Sequence, residues 1–544
     1  MVAFGMAELV HGLLHESVPS VFVSLAQRVV ELTPGELVTK GIEILGTADI
    51  PTLIVTMTIG ALIVAALLAN LALRSPISAL IGVVVLAAIA VAATLAEPFA
   101  APVPTVLTIA GALAAGAAIT ELLLRASGLR TQEPAASKAA PAAGPSGARS
   151  PAVRSREAYS EGGIAVNRRN FLVLGGTAAA AGLAALGAGR VLAGRGGQVA
   201  SAPKPLKLPK SSKQPPKQER KGGGQEIAVK HQTLPPPPKD ASIEVPGMPK
   251  LITPASSFYL IDTELISPRI DVNGWKLSVK GAVDNPIELT YKDLLGMPTR
   301  EADITLSCVS NPVGGGLVSN GRWTGVLLSD VLSEAGVSRD KITRASEQLV
   351  GRSVDGFTTG FRTQIALDGR EALVAFGLNG SELPIKHGYP VRLVVPGLYG
   401  YVSATKWITE LELTDWDFDA YWIQRTWSKE GPIKTQSRID TVKEGQQLSA
   451  GKIPCGGIAW APHRGIERVE VSTDGGETWN KARLAKQLDI DTWRQYVYDW
   501  DAKPGAYTLQ VRATDGEGKT QTAKITPPHP SGATGYHTVS VTVA

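Results

Sequence analysis

The chain has 544 residues, a formal net charge of +5 and two cysteines, Cys308 and Cys455. A length of this order calls for several domains. Two cysteines exclude a disulfide scaffold, the lack of any CxxC pair excludes a zinc ribbon or an attached c-type haem, and the modest basic excess, much of it in linker-like stretches, gives no footprint for nucleic acid.

Residues 1–49 read as a partly amphipathic helical segment. Three apolar runs follow, Ile50–Leu73, Ile77–Leu95 and Val103–Leu124, with no Lys or Arg inside them. Each is long enough to cross a bilayer core of about 30 Å, so residues 50–124 are predicted to form three transmembrane helices. Arg74 separates the first two runs, and Arg125, Arg130, Lys138, Arg149, Arg154, Arg156, Arg168 and Arg169 follow the third. The positive-inside rule places Arg74 and the 125–169 stretch in the cytoplasm and the N-terminal segment outside. Residues 125–166 are rich in Ala, Pro and Ser and read as a disordered linker. Asn167-Arg168-Arg169-Asn170-Phe171-Leu172 then heads a weaker, Ala/Gly-rich run to Leu192. Residues 167–192 therefore read as a twin-arginine-like signal or fourth membrane span. That export route carries folded proteins, which suits a domain loaded with a cofactor in the cytoplasm. Residues 193–248, with Pro-Lys repeats and Pro235–Pro238, read as a semi-extended tether. None of the apolar runs contains a His. An intramembrane bis-His haem is thereby disfavoured, and electrons must pass to or from a separate partner, a cytochrome or a quinone system.

Globular patterning begins near Pro249. Trp275–Gly281 alternates like a strand, Leu289–Leu295 reads as a short helix capped by Thr290, and Thr324–Ala335 has helical spacing. Val391–Val395 and Lys406–Leu413 read as strands. Residues 249–427 are thus predicted to be a mixed α+β domain that closes on an aromatic bridge, Trp416–Trp427. In residues 428–544, Arg468–Ser472, Gln495–Trp500 and Tyr507–Ala513 alternate strictly around an Asp474-Gly475-Gly476 turn, the pattern of an immunoglobulin-like β-sandwich. Cys308 stands where an apolar strand, Ile304–Ser307, breaks into Val309-Ser310-Asn311-Pro312-Val313-Gly314-Gly315. By itself such a thiol is either a small buried core residue or a nucleophile or soft-metal ligand.

Several motifs, in this order and spacing, resemble the sulfite oxidase family of molybdopterin enzymes from about Pro249 to the C-terminus. They are Thr305-Leu306-Ser307-Cys308-Val309-Ser310-Asn311 with Arg322-Trp323-Thr324-Gly325-Val326; Asn379-Gly380-Ser381-Glu382-Leu383-Pro384 with His387-Gly388-Tyr389-Pro390-Val391-Arg392; Tyr399-Gly400 leading to Lys406-Trp407; and Val469–Trp479. The resemblance implies a molybdenum-molybdopterin cofactor with Cys308 as the thiolate ligand of the metal. It implies that His387 hydrogen-bonds the cofactor, that Arg392 grips its phosphate, a task suited to guanidinium, and that Lys406 neutralises the same phosphate. Ser257, Phe258 and Tyr259 resemble an early cofactor-lining segment of members related to methionine-sulfoxide reductases, although Ser257 stands where those have Asn. The C-terminal domain resembles the family's dimerisation domain and implies a homodimer.

The sequence also departs from the family. Sulfite oxidases place arginines around the substrate; here no Arg lies between Cys308 and Arg322, Phe258-Tyr259-Leu260-Ile261-Asp262 has an acid and no Arg, and Arg464 alone stands near the place of a third cation. A site short of cations binds a dianion weakly. The expected protein is a membrane-anchored oxidoreductase of the cytoplasmic membrane, transferring an oxygen atom to or from a small molecule on the extracytoplasmic side. An S-oxide (methionine sulfoxide) reductase, a sulfite oxidase proper and a non-catalytic scaffold of the same fold are the alternatives.

Overall fold

The structure is a computed structural model and describes residues 2–14, 17–34, 37, 41, 49–97, 100–126, 168–198, 204–206, 231–263 and 267–544. The predicted linker lies almost wholly outside the described residues, as do Asn167 and most of the predicted tether. The chain divides into an N-terminal helical unit and a C-terminal globular unit.

In order, the helices of the first part are α1 (Val2–Leu13), α2 (Val21–Leu32), α3 (Asp49–Arg74), α4 (Pro76–Leu95), α5 (Pro102–Ala126) and α6 (Arg168–Gln198). Three stretches are long and apolar enough to cross a membrane: Thr52–Ala72, Ile77–Leu95 and Pro102–Leu123, with mean hydropathies of 2.4, 2.6 and 1.9. They match the three predicted runs. Several of their hydroxyls bond back within the helix, as where Thr58 Oγ1 donates to the Ile54 carbonyl (2.7 Å) and Thr94 Oγ1 to that of Ala90 (2.6 Å), which removes the cost of a bare polar group in an apolar medium. Ser75 caps α4, accepting from Ser78 N–H, with Pro76 at its first position, the arrangement that suits a residue lacking an N–H. The fourth run is helical, but its apolar part, Val173–Gly189, is shorter than the other three. It packs on α1 through glycines: a Cβ added to Gly5 would lie 2.2 Å from the Gly182 carbonyl oxygen, and one added to Gly12 would lie 2.4 Å from that of Gly189. Backbones approach this closely only where side chains are absent.

The globular unit opens with two sheets, one mixed and one wholly antiparallel. One has the order β2-β1-β10-β5-β6, built from β1 (Lys276–Gly281), β2 (Ile287–Thr290), β5 (Gln348–Ser353), β6 (Thr358–Arg362) and β10 (Ile408–Thr414). The other joins β3 (Thr299–Ser307), β4 (Val318–Leu327), β7 (Leu373–Leu378) and β8 (Ser381–Glu382), with β9 (Arg392–Val394) also paired to β7. Thr290 caps the helix α7 (Tyr291–Gly296) with a reciprocal bond to Asp293, as its position predicts. The predicted helix over Thr324–Ala335 is corrected: Thr324–Leu327 belong to β4, and helix α8 covers only Leu328–Glu334. β4 is a central strand laddered to both β3 and β7. A strand buried on both faces loses its alternation, and its apolar run mimics a helical pattern.

The C-terminal β-sandwich pairs the sheet β11-β13-β17-β16 with β12-β19-β18-β14-β15. Its strands are β11 (Gln436–Ile439), β12 (Gln447–Leu448), β13 (Gly451–Trp460), β14 (Ile466–Ser472), β15 (Asn480–Lys481), β16 (Arg483–Leu484), β17 (Arg494–Ala502), β18 (Gly505–Asp515) and β19 (His537–Val543). Val469, Val471, Tyr496, Leu509, Val511 and Val539 fill the space between the sheets, together with Cys455. Burial pushes the Cys455 thiol up to about 12, so it is an inert core residue. The tether prediction also needs correction at its end. Gln232 pairs with the edge of β3, its N–H donating to the Thr299 carbonyl (2.9 Å), and Ile243 N–H donates to Gln495 Oε1 (2.6 Å). Residues 231–248 are therefore part of the globular unit; an extended Pro-rich segment can still add to a free sheet edge.

Gly12→Leu would force α1 off α6. A fall of several degrees in the thermal transition of the helical signal is expected for the detergent-solubilised chain, as for a core overpacking of about 1–3 kcal/mol; Gly60→Leu, at an open position, should leave it unchanged.

Candidate cofactor site

The cleft that gathers the predicted residues lies where β3, β9 and the start of β10 meet the segment Phe258–Thr263. It encloses about 870 Å³ of empty space, part of it open to solvent, and is lined by Cys308, Tyr259, His387, Arg392 and Lys406 among others. Cys308 follows the last residue of β3, its N–H donating to the Leu317 carbonyl (2.9 Å). It is 8% exposed. Burial raises its thiol pKa against the pull of hydrogen-bond donors on Ser310 and Val309. Such a thiol stays protonated unless a cation takes the proton's place, as a bound metal does.

Arg392, in β9, is buried in the same cleft. Its hydrogen bonds go to the backbone carbonyls of His387 (3.1 Å), Leu393 (3.3 Å) and Ala404 (3.3 Å), and its guanidinium lies 5.2 Å from the centre of the Trp323 ring. Among the described residues no carboxylate bonds it. Burial lowers its pKa to about 10, partly offset by Tyr259 and Asp262, so it remains a cation at neutral pH. Lys406 also lines the cleft, and its pKa is lowered by burial. It is not free: its ammonium pairs with Asp262 and donates to the carbonyls of Ile261 (3.1 Å) and Lys386 (3.3 Å). Burial raises Asp262 to about 6 despite that partner. His387 sits at the end of a single helical turn, its Nε2 on the Ala255 carbonyl at 3.1 Å, its ring edge-on to Phe258. Burial first, then the charge of Arg392, lowers its pKa to about 4. Tyr259 is raised above its ordinary range, by burial first and then by Cys308, so it is a neutral donor.

Two expected residues are not in the lining. Ser257 is exposed, its hydroxyl turned to the Pro254 carbonyl at 3.3 Å. Arg464 is held elsewhere: its Nε donates to Asp515 Oδ2 at 3.0 Å and its terminal nitrogen to the Ile433 carbonyl at 2.9 Å. Asp515 is a fully buried carboxylate and claims the guanidinium as its counter-ion. Residues missed from sequence form the other wall. Tyr401, Trp422 and Trp427 line the cleft, with Trp427 5.9 Å from Tyr401 and 6.1 Å from Trp422, centre to centre. Trp427 is 7% exposed, and among the described residues its indole N–H has no hydrogen-bond partner. The aromatic bridge was the only signal for Trp422 and Trp427, and it does not reach Tyr401.

The residues fit a molybdopterin. A buried arginine that no carboxylate bonds among the described residues calls for an anion, and the phosphate of a pterin would supply one. Among the described residues no group of three His, Cys, Asp or Glu could hold a metal. A metal on Cys308 would thus need ligands from an organic cofactor, as a dithiolene gives.

Comparison with known proteins agrees. Residues 264–422 match the model of an oxidoreductase molybdopterin-binding domain, and residues 429–527 that of a Mo-co oxidoreductase dimerisation domain. Fold and site therefore define a molybdopterin-binding oxidoreductase domain joined to its dimerisation domain. The mitochondrial sulfite oxidase of Rattus norvegicus is 31% identical over 271 residues, covering 43% of this chain and 49% of the rat protein; the Homo sapiens enzyme gives the same values. An NADH nitrate reductase of Brassica napus is 26% identical over 344 residues, 52% of this chain and 38% of that one. The crystal structure of sulfane dehydrogenase SoxCD from Paracoccus pantotrophus overlays with a TM-score of 0.46 at 24% identity, over 58% of this chain and 90% of that chain. The globular unit belongs to the sulfite oxidase family of molybdenum-cofactor oxidoreductases. The chain spans about half the length of the oxidases it matches.

The unfolded chain protonates His387 near pH 6.5, the folded chain only near about 4. The unfolded state binds more protons in that window, so stability falls as pH falls through it, by up to about 3 kcal/mol. Urea unfolding of the cofactor-free chain should show that slope, and His387→Gln should reduce it, the remainder coming from His537, which burial also lowers to about 4.

Proposed function

We propose that the chain is a membrane-anchored molybdenum-cofactor oxidoreductase that transfers an oxygen atom to or from a small substrate outside the cytoplasmic membrane. The observation that carries this reading is one cleft lined by both a buried thiol and a buried guanidinium that no carboxylate bonds among the described residues. Cys308 would hold the metal; Arg392, with Lys406 and His387, would hold the pterin and its phosphate. The cofactor supplies two-electron redox chemistry at the metal. The chain's own residues bind and orient it, keep water from the thiol, and present a neutral His387 and Tyr259 to it. The three apolar helices support membrane anchoring. The distribution of Arg and Lys supports an outside catalytic domain, and Arg168-Arg169 supports export of a loaded domain. Self-association through the sandwich and a separate electron carrier complete the reading.

The wall beside Cys308 favours a neutral substrate. Arg392 and Lys406 are the basic side chains of the lining other than His387, and both are assigned to the cofactor. What remains, beside the acids Asp262 and Asp355 and the hydroxyls of Thr263, Ser310 and Ser353, is largely apolar and aromatic, with the N–H of Trp427 unpartnered among the described residues. Such a surface suits an apolar-bodied molecule with one acceptor, an S-oxide, better than a dianion.

Molybdenum-loaded chain should reduce S-oxides with an artificial donor, and Cys308→Ser should lower the rate by at least about 1000-fold. Trp427→Phe should lower kcat/KM for the S-oxide about 10- to 100-fold, the value of one buried hydrogen bond. Efficient sulfite oxidation with no S-oxide turnover contradicts the substrate reading. Replacing Arg168 and Arg169 by Lys should leave the globular unit inside, read by protease protection in spheroplasts; unchanged export refutes the twin-arginine assignment.

A further inference from the structure

Cys308 lies at the root of a loop, Cys308–Leu317, that joins β3 to β4. The root is pinned from within its own domain: Cys308 N–H donates to the Leu317 carbonyl (2.9 Å), and Leu317 N–H donates to Asn311 Oδ1 (2.8 Å). The tip, Pro312–Gly316, is partly exposed and glycine-rich, so nothing intrinsic to its sequence fixes it. Its order comes from the β-sandwich. Arg438, in β11, donates from a terminal nitrogen to the Gly315 carbonyl at 2.7 Å, and its Nε is held by Asp440 Oδ1 at 2.8 Å. The His537 ring, at the start of β19, stands against Gly314: a Cβ added there would lie 2.1 Å from it, and Gly314 has φ +76°. His537 is itself fixed, Nδ1 accepting from Ile439 N–H at 3.0 Å. The sandwich also grips the strand before the cysteine. Thr305 N–H donates to the Asp491 carbonyl (2.9 Å), and Trp493 N–H donates to Thr305 Oγ1 (2.7 Å).

We infer that the β-sandwich is a positioning element for the Cys308 thiol, with Arg438 as the positioning residue that fixes the loop tip. The metal-ligand role of Cys308 rests on the function proposed above; the positioning of the thiol does not. Contacts before and after Cys308 come from one rigid body, so the direction of its Sγ is set by both domains. Neither Arg438 nor His537 lines the cleft, so they act through the loop. A guanidinium whose second nitrogen is already fixed by Asp440 loses little freedom on gripping a carbonyl, which makes it a stiff tie. Loss of such a tie exposes the thiol more often and blurs its geometry.

The full-length chain carries its own control, because Cys455 is buried in the sandwich core. In cofactor-free chain, Arg438→Ala should raise the iodoacetamide alkylation rate of Cys308 about tenfold, the worth of one charge-assisted hydrogen bond, with Cys455 unchanged. Arg438→Lys should restore most of the protection. In molybdenum-loaded chain, Arg438→Ala should broaden the molybdenum electron-paramagnetic-resonance spectrum. An unchanged Cys308 rate with an unchanged spectrum overturns the inference. If both thiols react faster, the variant has loosened the sandwich; Arg438→Met, which keeps the aliphatic stem, then decides, and an unchanged Cys308 rate there overturns the inference as well. A faster Cys308 rate with no molybdenum retained by wild type would sink the metal-ligand reading and leave the positioning intact.

Discussion

The globular unit is organised around a positive charge that should not be where it is. Arg392 is buried, caged by three backbone carbonyls and the face of Trp323, and among the described residues no carboxylate bonds it. Moving such a cation out of water costs several kcal/mol, and carbonyl dipoles repay only part of it. The carbonyls come from the His387 turn, from β9 itself and from Ala404. Each of these is held by sheet or turn hydrogen bonds, so the cage cannot relax. On the proposed function, the phosphate of the cofactor would complete the charge balance. Burial, aided by the Arg392 charge, depresses His387, and burial raises Tyr259 against it, leaving neutral groups where a pterin would lie.

Lys406 and Asp262 complicate this balance. Their pairing means that one of the two cations assigned to the phosphate is already half neutralised. Asp355, raised by burial and also in the lining, adds a second acid. The cleft is therefore less cationic than its motif implies, and Arg392 carries most of the attraction. Around Cys308 the deficit of positive charge is larger. Arg464, the one cation the sequence offered, is bound to Asp515, and an aromatic wall stands in the cleft instead. On the proposed function, such a cleft would receive an anion at Arg392 and an uncharged group near the thiol.

Much of this was legible in the sequence, and the residues show why. Runs of twenty apolar residues admit few structures, so the three long helices were read almost to the residue. Cys308, His387, Arg392 and Lys406 sit in short motifs whose internal spacing is fixed by a strand end or a tight turn, and all four converge as expected. Ser257 and Arg464 failed for a different reason. Each was assigned by position alone, and what a side chain bonds, the Pro254 carbonyl or Asp515, depends on residues far away in the chain. Trp427 was invisible as a site residue because its significance is an unmade hydrogen bond. β4 was misread because a strand buried on both faces carries no alternation.

Molybdenum and phosphorylated pterin measured together on the purified full chain test the central claim most directly. One metal and one pterin per chain are expected for the wild type. Arg392→Met, close in size and uncharged, should lose both while keeping the wild-type β-sheet signal. A folded wild-type chain from cells replete in the cofactor that holds neither metal nor pterin, or an Arg392→Met chain that retains both in full, would contradict the account.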